Sequence, residues 1–370
     1  MSEYEIDVSA CRRRQQRMIQ QMQQLEVDLV IVTQAENIQW LTGARFGWFF
    51  QPAAALTAEG QLILVAPNEA PPAAAADEIR TYEAQWHSTL RNDQRQAASQ
   101  ALADAIESQV KGRTLGVEFS TFGRHVEYAP RNIVDVESVL YELRRPKDPD
   151  ELALIKKAIL GTQRMYERAR AIIRPGVTEL DVFNQLQATA VEEFGERLTG
   201  TGNDYQCGTR GGPPRNGRQA ADGELYILDL GPAFRGYFAD NCRTIAVTDV
   251  SDAQQEAWSC IRQVFEHVER TVRPGKNAQE LFHEAQNILD QAPIGVFDHH
   301  LGHGFGLFPH EAPHLNPHWN DTFQEGEVFT AEPGLYAPEL KGGMRLENNY
   351  QVTEDGVQLL THFPLELKVE

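Results

Sequence analysis

Gly302-His303-Gly304-Phe305-Gly306, then His310-Glu311-Ala312-Pro313, then Ala331-Glu332-Pro333-Gly334, then Met344-Arg345-Leu346-Glu347 follow one another in the last third of the chain. These segments gather imidazole and carboxylate between glycines and prolines. No single helix can contain them, because Pro and Gly both interrupt helical hydrogen bonding. They read as strand ends and tight loops converging on one place. Working outward, Asp229 closes the apolar run Leu225-Tyr226-Ile227-Leu228, and Asp240 follows Tyr237-Phe238-Ala239. A carboxylate at the end of a buried strand is costly unless it is paired or coordinated. Two antiparallel strands joined through the turn Pro232 to Gly236 would bring Asp229 and Asp240 together.

His303, between two glycines that allow close approach and positive φ, suits a ligand presented from a tight loop. Glu332 precedes Pro333-Gly334 at a strand end, and Glu347 ends an otherwise apolar segment. Alone, each carboxylate reads equally as a turn cap or an ordinary ion pair, Asp240 with Arg243 for example. Together, Asp229, Asp240, His303, Glu332 and Glu347 can hold a pair of divalent cations and leave room for a water. That chemistry points to a metal-dependent hydrolase. His310 reads as a donor facing the substrate rather than a ligand. His310-Glu311-Ala312-Pro313-His314 matches the H-E-x-x-H zinc pattern, but that pattern works on a helix, and Pro313 inside it argues against one.

Composition sets the limits. The chain has 370 residues, 41% hydrophobic and 24% charged, which suits two globular domains better than one. A formal charge of −19 argues against a nucleic-acid partner. Cys11, Cys207, Cys242 and Cys260 form no Cys-x-x-Cys pair and are expected to be free thiols. Leu29 to Val32 is too short an apolar run to span a membrane, and nothing near Met1 resembles a signal peptide. A cytoplasmic protein is expected.

Along the chain, Met18, Ile19, Met22 and Leu25 predict a helix over Cys11–Leu25. Strands are expected at Leu29–Val32, Leu62–Val65, Leu115–Glu118 and Ile133–Val136, with a helix over about Asp93–Val110. Asn37 to Gly43 reads as a turn leading into the aromatic loop Phe46-Gly47-Trp48-Phe49-Phe50, a candidate lid or cation–π wall. Pro67 to Ala76 reads as a loop before a helix. The alternation gives an α/β domain over residues 1–143. Arg144 to Asp150 carries two prolines among five charges and reads as a linker. Residues 144–370 form the second domain, opening on a helix over Glu151–Ile173.

An internal echo follows. Arg174-Pro175-Gly176 precedes an N-cap at Thr178, and Arg273-Pro274-Gly275 precedes one at Asn277. Strands at Leu225–Asp229 and Thr244–Val247 match others at Glu327–Thr330 and Tyr350–Thr353. Together they suggest a duplicated α+β half with the site between the halves.

With these residues in hand, the chain resembles the creatinase/prolidase/methionine aminopeptidase superfamily, the pita-bread metallopeptidases, and within it the Xaa-Pro dipeptidases and aminopeptidases. The resemblance covers Asn37–Gly43 in a creatinase-type N-terminal domain, the junction Leu143–Glu151, and the ligand positions Asp229, Asp240, His303, Glu332 and Glu347. It implies an α/β N-terminal domain and an α+β pita-bread domain with pseudo-twofold duplication. It implies two divalent metal ions per subunit, whether manganese, cobalt, zinc or iron. Asp229 would chelate one, His303 and Glu332 the other, with Asp240 and Glu347 bridging. It further implies a bridging water or hydroxide that attacks a peptide carbonyl, Glu332 as proton shuttle, and His310 stabilising the tetrahedral oxygen. His299 and Arg345 would approach the substrate. A homodimer is implied, each N-terminal domain walling its partner's site.

The departures are specific. Arg215 stands where proline-specific members carry a histidine, Asn348 follows the last glutamate in place of aspartate, and no arginine lies between Pro313 and Phe323. Arg215 could bind a substrate carboxylate or phosphate. These changes leave open a creatine-, betaine- or sulfonium-directed hydrolase or lyase on the same fold, and a binding protein without turnover.

Overall fold

The computed structural model describes residues 4–47, 49–121 and 131–368. Trp48 of the expected aromatic loop lies outside them. The chain divides into two compact units, Met1–Arg144 and Arg145–Glu370.

The first unit runs α1 (Val8–Gln24), β1 (Leu29–Val32), α2 (Ala35–Thr42), β2 (Ala53–Thr57), β3 (Leu62–Pro67), β4 (Glu78–Tyr82), β5 (Gln85–Trp86), β6 (Thr89–Leu90), α3 (Gln94–Val110), β7 (Thr114–Val117), β8 (Asn132–Asp135) and α4 (Glu137–Arg144). Its sheet has the order β4-β3-β2-β1-β7-β8. β1, β7 and β8 run parallel, while β2 is antiparallel to both β1 and β3. β1 and β3 are buried along their whole length, as continuous apolar runs require. Helix α3 packs Leu102 and Ile106 against this sheet.

Two expectations fail here. Asn37–Gly43 is not a turn: Ala35–Thr42 is helix α2, and Gly43 ends it in the left-handed conformation at φ 76°. The glycine is a C-terminal helix cap, a role that a short apolar stretch followed by Gly also fits. The segment after Pro67 leads into strand β4, parallel to β3, and not into a helix. Strand β2 escapes sequence reading because Ala53-Ala54-Ala55 carries weak strand preference.

The second unit runs α5 (Pro149–Ile172), α6 (Glu179–Phe194), β9 (Asp204–Cys207), β10 (Leu225–Leu230), β11 (Ala233–Phe234), β12 (Tyr237–Phe238), β13 (Asn241–Ala246), α7 (Asp252–Thr271), α8 (Ala278–Leu289), β14 (Gly302–Gly304), β15 (Glu311–Leu315), β16 (Val328–Ala331), β17 (Gly334–Ala337), β18 (Gly342–Arg345), β19 (Asn348–Val352) and β20 (Val357–Leu359). A helix pair followed by a sheet occurs twice. One sheet has the order β13-β10-β9, the other β15-β14-β16-β19-β20. The two helix starts behave alike: Thr178 accepts the Asp181 N–H at 3.0 Å, and Asn277 accepts that of Glu280 at 2.9 Å. This is the α+β pita-bread architecture with its internal duplication.

Residues 145–150 are not a loose linker. Arg145 is buried against Glu327 at 2.5 Å, and Lys147 against Glu311 at 2.7 Å. Pro149 opens α5, and Glu151 accepts the Asp148 N–H at 3.0 Å. The prolines and charges that suggested a linker are a helix start and two buried ion pairs.

Candidate metal centre

β10 and β13 pair antiparallel, with Asp229 opposite Cys242 and Leu230 opposite Asn241. A small hairpin, β11–β12, is inserted between them, so the connection is longer than the simple turn expected. Asp240 lies immediately before β13, beside the end of β10 that carries Asp229. On the other sheet, β14 presents His303. A Cβ on Gly302 would come within 2.1 Å of Thr330 O, and one on Gly304 within 2.1 Å of Ala312 O. The two glycines therefore let β14 press against its neighbours on either side, which fixes the imidazole between them.

His303 Nδ1 lies 2.9 Å from the Gly304 carbonyl, so that nitrogen carries the proton. Its Nε2 is left as an acceptor, 3.6 Å from Asp240 and 3.5 Å from Glu332. This is the tautomer a metal-binding histidine needs. Glu332 directly follows β16, its N–H donating to Leu301 O at 2.7 Å. Glu347 sits between β18 and β19, its N–H donating to Cys242 O at 2.9 Å. The Glu347 carboxylate is buried, and neither oxygen has a hydrogen-bond partner.

Asp229, Asp240 and Glu347 offer oxygens within 4.8 Å of one another, and so do the ligand atoms of His303, Glu332 and Glu347. Asp240 with His303 and His310, and His299 with His300 and Glu332, meet the same distance. Burial raises the pKa of Asp229, Asp240 and Glu347. The Glu332 carboxyl is pushed up to about 8, first by burial, with Arg345 pulling it down and Asp229 pushing it up. Burial drives His303 well below its usual range, helped by His310 and His300. Four close carboxylates, buried or half-buried, cannot readily all ionise without added positive charge. The orphaned Glu347 oxygens and the acceptor nitrogen of His303 therefore fit a divalent-cation site, through oxygen and imidazole ligands.

One guanidinium supplies part of that charge. Arg345 donates to Asp229 at 2.8 Å, and also to Asp204. Its Nη1 donates to the Tyr336 hydroxyl at 3.2 Å, and that hydroxyl lies 2.9 Å from His299 Nε2. His299 Nδ1 faces the His300 carbonyl at 2.7 Å, so the tyrosine hydroxyl is the donor to His299. Burial, with Arg345 nearby, lowers the His299 pKa to about 3. Arg345 and His299 thus lie in the cavity wall as a joined network, not as independent substrate donors.

A cavity of about 560 Å³ opens onto these groups and is also lined by Thr201, Arg210, Phe238 and His310. The His310 ring stacks on His303 with centroids 3.7 Å apart and planes 11° apart. His310 lies in a loop before β15. Because Glu311–Leu315 is a strand, the H-E-x-x-H pattern has no helix to display it.

Arg215 is a correction. Its guanidinium donates to the fully buried Glu179 at 2.6 Å and 3.1 Å and to Cys207 O at 2.9 Å. It does not line the cavity. A buried carboxylate needs a cation, and Arg215 satisfies that need instead of meeting substrate. Sequence reasoning also missed three residues. Asp204 faces Asp229 across the β9–β10 pair. His300 lies 3.5 Å from Glu332, and its adjacency to His299 was the available signal. Arg210 sits in an irregular loop whose course no periodicity reveals.

The profile of "Metallopeptidase family M24" matches residues 153–354, and that of the "Creatinase/Prolidase N-terminal domain" matches residues 14–145. A putative dipeptidase, YkvY, of Bacillus subtilis (strain 168) is 31% identical over 238 residues, 63% of this chain and 65% of its own length. An uncharacterized peptidase of Staphylococcus aureus (strain MW2) is 30% identical over 234 residues, 62% of this chain and 66% of that relative. Both matches span slightly less than two thirds of the relatives' lengths. The prolidase from Pyrococcus horikoshii OT3 superposes with a TM-score of 0.80 at 23% identity, covering 96% of this chain and 99% of that one. The X-Pro aminopeptidase from Thermotoga maritima MSB8 gives 0.79 at 22%, covering 96% and 99%. At these identities the structural matches speak to the fold.

Proposed function

The chain belongs to metallopeptidase family M24, and on that premise we propose that it hydrolyses the amino-terminal bond of small peptides, Xaa-Pro or similar. The observation that carries this reading is the pair of ligand triads that share the buried Glu347 and whose other members, Asp229, Asp240, His303 and Glu332, line the cavity. Asp229, Asp240, His303, Glu332 and Glu347 would hold two divalent cations, and manganese, cobalt, zinc and iron all suit this donor set. Bound there, such cations supply Lewis acidity for the carbonyl and lower the pKa of water.

The chain's own groups divide the remaining work. Glu332 Oε1 lies 3.5 Å from both His300 and His303, at the cavity wall. From there it can take the proton of the attacking water and hand it to the leaving amine. His310 faces the same cavity and can donate to the oxygen that gains charge as the carbonyl becomes tetrahedral. Arg345 holds Asp229 and Asp204 in place, and Tyr336 holds His299. The creatine- or betaine-directed alternative drew on Arg215 and on the aromatic loop Phe46–Phe50, and the pairing of Arg215 with Glu179 removes the first of these supports. We further propose that the protein acts in the cytoplasm as a homodimer. No helix among the described residues is long and apolar enough to cross a membrane.

The test is hydrolysis of an Xaa-Pro and Xaa-Xaa peptide panel by chelated protein to which Mn, Co or Zn is restored. Metal-dependent cleavage is expected. Absence of cleavage by protein carrying two metals per subunit would overturn the reading.

A further inference from the structure

Arg243 lies on β13, next to the Cys242 that pairs with Asp229. It is 1% exposed and does not line the cavity. An arginine has five N–H donors, and here each one is used. Nε donates to Pro364 O at 3.0 Å. Nη1 donates to Cys242 O at 2.9 Å and to Glu347 O. Nη2 donates to Asn348 Oδ1 at 3.0 Å and to Phe363 O at 3.3 Å. The Phe363 ring lies against the guanidinium, Cζ 4.5 Å from the centroid.

All of these acceptors are neutral, so the group is satisfied as a donor but not as a charge. Other buried guanidinium groups differ. Arg145 holds Glu327, and Arg345 holds Asp229 and Asp204. Burial pulls the pKa of Arg243 down to about 10, while Tyr166, Cys242 and Glu347 act the other way, and it stays a cation at neutral pH. With little water near it, that charge is poorly screened. It grips the backbone of Glu347, the residue that both ligand triads share. Asn348 decides whether the charge is matched. Its Oδ1 accepts from Arg243 and, at 3.1 Å, from Thr361 Oγ1. A carboxylate oxygen would suit the same two donors and would pair the cation, whereas the amide leaves it unpaired. The departure at Asn348 thus has a physical consequence beside the metal centre.

We propose that Arg243, left unpaired by Asn348, weakens the hold of the site on its divalent cations. The inference rests on the metal-centre reading above and deepens it. Arg243 touches no ligand oxygen and acts through its field at Glu347. Glu347 keeps a second tether, its own N–H to Cys242 O at 2.9 Å, so its place does not depend on Arg243 alone.

The experiment measures Mn binding to chelated protein by competition with a fluorescent chelator, on wild type, Asn348→Asp, Arg243→Gln and Arg243→Lys. Asn348→Asp keeps the shape and supplies the missing negative charge, so Mn should bind roughly ten- to hundredfold tighter. Arg243→Gln should also bind tighter, and Arg243→Lys, which keeps the charge, should not. A merely structural role predicts the opposite sign, because lost contacts to Glu347 O would weaken binding in both Arg243 variants. Melting temperature reports which variants fold. Unchanged or weaker binding by Asn348→Asp overturns the proposal, whether or not the Arg243 variants fold. Weaker binding by a folded Arg243→Gln, or equal tightening by Arg243→Lys, also overturns it. If wild type binds no divalent cation, the metal reading falls alone, and urea unfolding of chelated Asn348→Asp, Glu347→Gln and the double variant decides. Competition for Arg243 predicts that Asn348→Asp is less favourable while Glu347 is present, and additive effects overturn the proposal.

Discussion

Arg345 donates a hydrogen bond to Asp229 at 2.8 Å, in a pocket where Asp240, Glu332 and Glu347 are also gathered. It is the charge that makes this carboxylate cluster tolerable in the metal-free protein. Removing one partner from a buried ion pair leaves the other uncompensated and costs about 3–5 kcal/mol. Arg345→Met should therefore lower the stability of chelated protein by that order, and added Mn should recover much of it. Urea unfolding with and without metal checks this. An unchanged midpoint in the chelated variant would show that Arg345 is not needed there.

Glu347 predicts the opposite sign. Its oxygens are buried without hydrogen-bond partners, and a buried carboxylate in that state is unfavourable. In chelated protein at neutral pH, Glu347→Gln should be at least as stable as wild type, by up to about 1–3 kcal/mol. Added metal should stabilise wild type by about 2.7 kcal/mol at one hundred times its dissociation constant and the variant far less. Thermal melts across a metal titration decide. A full metal-induced shift in the variant would remove Glu347 from the ligand set.

The sequence shows the strands at Asp229 and Glu332 because burial on both faces leaves continuous apolar runs with a polar residue at the end, whereas β14, which carries His303, is Gly-His-Gly and reads as a tight loop. It shows the helix starts at Thr178 and Asn277 because a cap and the acid three residues on are local features. The residues it misreads depend on longer-range facts. Arg215 looks available because nothing in sequence says that Glu179, thirty-six residues earlier, is fully buried and needs a cation. Arg145 and Lys147 look like linker charges because their partners, Glu327 and Glu311, lie far along the chain. Arg210 reaches the cavity through a loop held by glycines and by pairing along β9, and such a course has no periodic signature. The α2 helix is missed because Gly43 serves turns and helix ends equally well.

Glu327 gives a pH-dependent prediction away from the metal ligands. Burial raises its carboxyl from 4.5 to about 7, although Arg145 pulls it down. The folded protein then holds a proton there that the unfolded chain releases. This group's contribution is fully present below pH 4.5 and is lost as pH rises to about 7. At ~1.4 kcal/mol per pH unit the change is on the order of 3 kcal/mol. Glu327→Gln cannot titrate, so its stability relative to wild type should improve as pH rises through that window. Denaturation at a series of pH values tests this. A constant difference would contradict it.

His310 separates a ligand from a substrate-facing group. Its ring lies parallel to that of His303, 3.7 Å away. In-plane lone pairs on parallel stacked rings run side by side and do not converge on one ion, although Asp240, His303 and His310 do come within 4.8 Å of one another. His310→Ala should therefore keep two metals per subunit and lose activity. Removing a donor to a developing oxyanion costs about 10²–10³ in kcat, with KM little changed, because the contact forms mainly in the transition state. Elemental analysis and steady-state kinetics on the same preparation check both halves. Loss of one metal would make His310 a ligand, and unchanged kcat with full metal content would remove it from the chemistry.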